Sequence, residues 1–222
     1  MHNPFIFEIP PLQPSSAGVT PVEDRTAITA RKYKQHRKGV RKLSAVKALV
    51  LHHTASGLRN EPERLDHIVA HFVIPPNGRI LQLHPLESVL WASHGFNNSS
   101  VAVEFVGNFR NEKGKCWFGP RDMRPCANAP TAAQIKAGRD LIRYLINKIG
   151  LTHVYTHRQS SWKDGDPGPD VWYHVGQWAV DNLGLSDGGP GFFVGGCPVG
   201  KKTCAGKGSP IPASWRTWGN RS

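Results

Sequence analysis

VKALVLH, Val46 to His52, is the stretch on which the fold turns. It is an apolar, partly β-branched run too short for a typical helix, and it reads as a buried strand. The strand ends at His52, and Thr54-Ala-Ser-Gly57 breaks it. A histidine at the end of a buried strand is held stiffly, so its neighbours decide what it can do.

Downstream, Leu65, Ile68, Val69, Phe72 and Val73 recur at helical spacing after Pro62, which predicts a helix. Pro75-Pro-Asn-Gly78 is a turn, and Arg79–His84 a second strand. Val101–Val106 is a third strand, closed by Gly107-Asn108. Alternation puts Val101, Val103 and Phe105 on one face and Ala102, Glu104 and Val106 on the other. The polar stretch from Arg110 to Ala129 reads as an inserted loop.

Thr131-Ala-Ala-Gln134 is a capping box behind Pro130. It opens a helix with Ile135, Ile142, Leu145, Ile146 and Ile149 on one side, stopped by Gly150. His153–His157 is a fourth strand, and a last helix is expected from about Val171 to Asn182. No internal repeat is visible. Strands interleaved with long helices predict an α/β fold: a single mixed central sheet with helices packed on it.

The division expected is an N-terminal arm with a basic segment over 1–45, a core domain over 46–183, and a Gly/Pro-rich, loop-rich C-terminal extension over 184–222. Residues 1–22 are Pro- and Ser-rich and read as an extended arm. Arg31–Lys42 then carries seven Lys/Arg and no acid. It is either a solvated linker or an electrostatic grip on an anionic polymer.

With 222 residues the chain can bury a sizeable core. Its 28 basic and 16 acidic side chains leave a formal charge of +12. Such a balance favours a polyanion: nucleic acid, an anionic membrane face or an anionic wall polymer. No apolar run reaches the roughly 18–20 residues of a membrane span. The start, MHNPFIFEIPPLQPSS, lacks the pattern of a secretory signal. Work outside the cytoplasm would then need release by lysis or signal-independent export.

The four cysteines form two local pairs, Cys116/Cys126 and Cys197/Cys204, without the spacing of a structural zinc site. Two local disulfides would suit an oxidising compartment; four reduced thiols are the alternative.

A catalytic zinc has three protein ligands and one open position. His157 ends the fourth strand and shares a face with His153 and Tyr155. Asp166 follows nine residues later and is restricted by Pro167. With His52 these residues make a candidate His52/His157/Asp166 site. Ordinary loop chemistry is the competing reading, with Asp166 a turn former and His157 hydrogen-bonded at the sheet edge.

Four motifs occur in order: Leu51-His-His-Thr-Ala55, Ser93-His-Gly-Phe-Asn-Asn98, Val101-Ala-Val-Glu-Phe-Val-Gly107 and Thr156-His-Arg158 with Asp166-Pro-Gly-Pro169. Over about residues 46–180 the chain resembles the zinc-dependent N-acetylmuramoyl-L-alanine amidases of the type 2 family, relatives of phage-lysozyme-type amidases and animal peptidoglycan-recognition proteins. The resemblance implies an amidase/peptidoglycan-recognition-like fold and Zn2+ held by His52, His157 and Asp166. Many relatives carry Cys where Asp166 stands. Along the strand His53 points the other way from His52, which leaves it in the core or in support of the site.

The activity implied is hydrolysis of the amide between N-acetylmuramic acid and L-alanine in peptidoglycan, a bacteriolytic and antimicrobial chemistry. Glu104 matches the family's general acid/base, and Lys163 the basic residue that stabilises a developing oxyanion. His94, Asn97 and Asn98 fall where relatives line the substrate groove. The expected partners are peptidoglycan and, through Arg31–Lys42, an anionic wall polymer; a monomer is expected, working on the cell wall or in the periplasm. A non-catalytic peptidoglycan-binding module is the alternative. A nucleic-acid role lacks any recognisable motif.

Overall fold

Strand β3, Ala48–His53, lies near one side of a six-stranded mixed sheet. The computed structural model describes residues 18–119, 122–195 and 208–220. The sheet also contains β1 (Val22–Asp24), β4 (Phe72–Ile74), β5 (Ile80–Gln82), β7 (Ser100–Phe105) and β10 (His153–Thr156), in the order β1-β5-β4-β7-β3-β10. Only β4 and β5 run antiparallel; the other neighbours are parallel. Two small ribbons stand apart, β2 (Arg37–Val40) with β6 (Ser88–Leu90), and β8 (Lys115–Gly119) with β9 (Asp122–Pro125).

The parity expected of β7 holds. Val101, Val103 and Phe105 join Leu49 and Leu51 in the main core cluster, while Val106 belongs to a smaller cluster with Leu65, Val73, Leu81 and Leu83. Helix α2, Ala132–Ile149, covers the first face with Ala137, Leu141, Ile142 and Leu145, all fully buried. Leu141, Ile142 and Leu145 each contribute about 1.5–3 kcal/mol on leaving water. The helix lies so close that a Cβ on Gly138 would stand 2.8 Å from Phe105. Its ends match the sequence reading: Thr131 and Gln134 form the capping box, and Gly150 is left-handed at φ 65°. Gln134 also donates to the carbonyls of Ile74 and Val106, tying the helix start to the ends of β4 and β7.

The helix expected over 65–73 does not form. A short 3-10 turn at Pro62–Arg64 leads through turns into β4. Phe72, Val73 and Ile74 are fully buried between β5 and β7. Leu65 and Ile68 reach the smaller core cluster from the turns while Val69 is exposed, so burial rather than helical geometry accounts for the other four positions of the apparent period. The last helical region matches better: α3 (Pro169–Val171), a π-helical segment (Trp172–Gln177) and α4 (Trp178–Leu183) follow one another. The Arg110–Ala129 insert holds the β8–β9 hairpin, and Cys116 is bonded to Cys126. The Cys197/Cys204 pair lies outside the described residues.

The segments flanking 46–183 pack against it. Strand β1 extends the sheet beside β5. Arg25 makes two bonds to Asp66, at 2.6 and 2.8 Å, with both residues buried. Helix α1 (Thr26–Lys32) follows, and Leu43 packs on the main core. On the other side, Ser186 bridges to His153, and Trp215 of α5 (Ala213–Arg216) is fully buried in the main cluster. The tail expected to be loop-rich therefore also supplies core. Among the described residues, no helix is long and apolar enough to cross a membrane.

Candidate metal centre

Three parallel strands deliver the site. His52 on β3 is the register partner of Glu104 on β7, and Thr156 on β10 is the partner of Leu51. His157, one residue beyond β10, therefore falls in the same row as His52 and Glu104. The row lies on the sheet face opposite α2, at the C-terminal ends of the strands. Ligand sites of α/β sheets favour such ends.

His52, His157 and Asp166 are all buried, and their donor atoms lie within 4.8 Å of one another. Asp166 Oδ2 stands 2.9 Å from His157 Nδ1 and 3.7 Å from His52 Nδ1. Donors placed about 2.0–2.1 Å from a tetrahedral ion would be about 3.4 Å apart. The observed spacings bracket that value, and two imidazoles with one carboxylate are a donor set zinc accepts. Oδ1 of Asp166 accepts from the His53 backbone N–H at 2.9 Å, which fixes the carboxylate plane. The backbone of Asp166 is pinned as well, donating to Lys163 O and accepting from Arg158 N–H.

The outer nitrogens of both imidazoles are occupied. His52 Nε2 lies 3.0 Å from Ser93 Oγ, and His157 Nε2 lies 2.8 Å from His94 Nδ1. A proton on each Nε2 leaves each Nδ1 lone pair directed at the cluster, the usual way outer hydrogen bonds set a ligand's tautomer. His94 holds this position with a left-handed backbone, φ 46°, unusual for a residue with a side chain. The loop is held by Asn97, whose Oδ1 accepts from Ser93 N–H at 2.6 Å. Arg41 donates to the Asn97 carbonyl and, at 3.1 Å, to the Leu86 carbonyl. Phe96 stacks on Tyr155 with centroids 4.4 Å apart, pressing the loop onto β10.

Burial disfavours the charged form of both imidazoles. Burial lowers the His52 pKa, against the opposing pull of Asp166. Burial and neighbouring His52 hold His157 down to about 4. For Asp166, burial works upward, but its close contacts with the His157 and His52 rings outweigh it and hold it well below the usual carboxylate range. Glu104 goes the other way: burial, then the charge of Asp166, push it well above its ordinary value, and Lys163 only moderates this. Its Oε2 is enclosed without a hydrogen-bond partner. A carboxyl raised toward neutrality can both take and return a proton.

Glu104 and Asp166 open onto a cleft of about 530 Å3, whose other walls include Lys163, Trp162, Trp117 and Met123. Lys163 and Trp162 are exposed on the turn before Asp166. His53 also faces the cleft, its ring edge-on to Phe109 at 5.6 Å. Of the groove residues expected from sequence, His94 reaches the site through His157, Asn97 is turned into its own loop, and Asn98 is exposed. Ser93 carried no expectation beyond its place in a motif, because its contact depends on how the loop folds back over His52. Trp117 and Trp162 were also missed; aromatic residues in polar, Gly- and Lys-rich loops were the available signal.

A protein-family model described as N-acetylmuramoyl-L-alanine amidase matches residues 42–169. The endolysin N-acetylmuramoyl-L-alanine amidase LysCS from Clostridium intestinale URNW has a similar structure, with TM-score 0.54 and 19% identity over 76% of this chain and 99% of its own. Peptidoglycan recognition protein SD of Drosophila aligns with TM-score 0.51 and 19% identity over 72% and 95%. Identities this low speak for the fold alone. No curated protein matches the chain in sequence.

Proposed function

Because the chain belongs to the N-acetylmuramoyl-L-alanine amidase family, we propose that it is a zinc-dependent hydrolase of the amide between N-acetylmuramic acid and L-alanine in peptidoglycan. The observation that carries this reading is a buried cluster of two imidazoles and one carboxylate, with a carboxyl whose pKa is raised in the same row of side chains. A module that only binds would have no use for a proton-holding Glu104 at the cluster's edge.

In this reading His52, His157 and Asp166 hold the metal, which when bound polarises the amide carbonyl and activates water for attack. Glu104 takes the proton from the attacking water and returns it to the departing amine of L-alanine. Its carboxyl lines the cleft, within reach of a substrate there. Lys163, at the cleft wall, places positive charge where the carbonyl oxygen becomes negative. Ser93 and His94 keep the two imidazoles in the ligating tautomer. The exposed cations of Arg31–Lys42 serve association with the anionic wall rather than the chemical step.

Mass spectrometry of sacculi digested by the zinc-loaded protein tests the proposal. New L-alanine amino termini on intact glycan strands are expected. Cuts between sugars, cuts within the peptide, or no release at all would overturn it.

A further inference from the structure

Beyond the cleft, a second cavity of about 280 Å3 opens on the far side of Trp117. Ala55 and Trp117 line both spaces, so the two lie side by side. The volume lies just below the usual range of ligand pockets, roughly 300–1,000 Å3, which suits one ring rather than a chain.

The two linings differ in chemistry. The catalytic cleft is rich in charge, with Glu104, Lys115, Lys163, Asp164 and Asp166. The second cavity, among the described residues, is lined by no charged side chain: Ser56, Asn108 and Asn128 give hydroxyl and amide groups, and Leu58, Trp117 and Phe118 give apolar surface. Trp117 and Phe118 remain 47% and 52% exposed although both are large and apolar. Arg124 lies over one side of Phe118, 5.1 Å from its centroid, with its charge engaged by Asp122. Asn108 donates to the Trp117 carbonyl at 2.6 Å and leaves Oδ1 without a partner. Aromatic faces with neutral amides and hydroxyls fit an uncharged ring that has apolar C–H faces and polar edges. They do not fit a peptide arm that bears carboxylates, which the charged cleft suits better.

The walls are held firmly. The Cys116–Cys126 bond closes the hairpin next to Trp117, and the Arg110 N–H bonds the Asn128 carbonyl at its base. Arg110 is anchored in turn on Asp170 at 3.0 and 3.2 Å. A rigid aromatic wall loses little freedom when a ring stacks on it.

We propose that this cavity is a sugar subsite that takes an N-acetylated amino-sugar ring of the glycan strand next to the muramyl unit in the catalytic cleft. The inference rests on the amidase reading for its place in the substrate. Its binding test does not depend on turnover.

The probe is N,N′,N″-triacetylchitotriose, titrated into the full-length zinc-loaded protein and followed by tryptophan fluorescence and NMR shifts. Saturable binding is expected. It should weaken about ten-fold or more in Phe118→Ala, the scale of losing a stacking anchor, and recover in Phe118→Trp. Phe118 is half-exposed, so equal thermal midpoints in all three proteins would exclude misfolding as the cause. A soluble stem peptide that begins with L-alanine should not displace the sugar. In turnover, wild type should favour a disaccharide-peptide over a muramyl-peptide in kcat/KM, and Phe118→Ala should lose that preference. No sugar binding, binding indifferent to Phe118, or displacement by the peptide would each overturn the subsite. Sugar binding without amide hydrolysis would refute the amidase reading and leave the subsite standing. Hydrolysis without sugar binding would do the reverse.

Discussion

The row His157–His52–Glu104 and the run Arg31–Lys42 are both dense in ionisable groups, but they are built in opposite ways. In the row, each histidine comes from the end of a parallel strand, is buried, and has both ring nitrogens engaged. In the run, Arg31, Lys32, Lys34, Lys38 and Lys42 are exposed, while Arg37 and Arg41 are half-buried and hydrogen-bonded. Arg37 donates to His84 and to the Thr26 carbonyl, and Arg41 holds the loop behind the His52, His157 and Asp166 cluster. Burial with partners turns a charge into a structural part, and exposure leaves it free for a polyanion. The run is therefore two populations, five cations for the surface and two for the fold.

The row should be the more fragile by far. His52→Ala, His157→Ala and Asp166→Ala should each abolish stoichiometric zinc and lower amide hydrolysis by orders of magnitude, as read by elemental analysis and muropeptide assay. Full turnover in EDTA would break the contrast at once.

Anchored cations come next. Arg25→Ala leaves the Asp66 carboxylate buried without its partner, which typically costs about 3–5 kcal/mol. Urea denaturation should show that loss. Exchanging the five exposed cations of the run for Gln should cost no more than about 0.5 kcal/mol per substitution. Equal stability in both variants would mean that the arm is not part of the folded unit.

A smaller effect is expected one contact away from the proposed metal ligands. Ser93→Ala removes the bond that holds His52 Nε2. Zinc affinity should fall about 10- to 100-fold, the usual cost of losing an outer hydrogen bond to a ligand. A chelator competition titration reads it directly, and unchanged affinity would reduce Ser93 to packing.

The least effect on chemistry belongs to the exposed cations. With Arg31, Lys32, Lys34, Lys38 and Lys42 changed to Gln, binding to intact sacculi should weaken at low salt and converge with wild type as salt rises. Hydrolysis of a small soluble muropeptide should be unaffected. Wild-type binding at low salt would make the run a solvated surface only.

Much of this was legible in the sequence wherever a local rule coincided with the tertiary one. The Thr131–Gln134 box and Gly150 mark α2 because caps are made by neighbours in the chain. The alternation of Val101–Val106 gives the two faces of β7 because one face is packed on the helix. His52, His157 and Asp166 could be paired by motif and are brought together by β3 and β10. The 65–73 segment misled because buried turns and a short buried strand can imitate helical spacing. Trp215 in the core, Arg25 on Asp66 and Ser93 on His52 are contacts over long or irregular separations, and no local pattern announces them. Composition alone also hid the packing of the flanking segments, since β1 and α5 are short elements in Pro- and Gly-rich surroundings.

The central claim is that the cluster holds zinc while Glu104 moves the proton, and one variant separates the two roles. Glu104→Gln should keep one zinc per chain and the wild-type thermal midpoint, and lose roughly two or more orders of magnitude in kcat, the scale of a positioned general acid/base. A zinc-loaded Glu104→Gln protein with unchanged kcat would contradict the account.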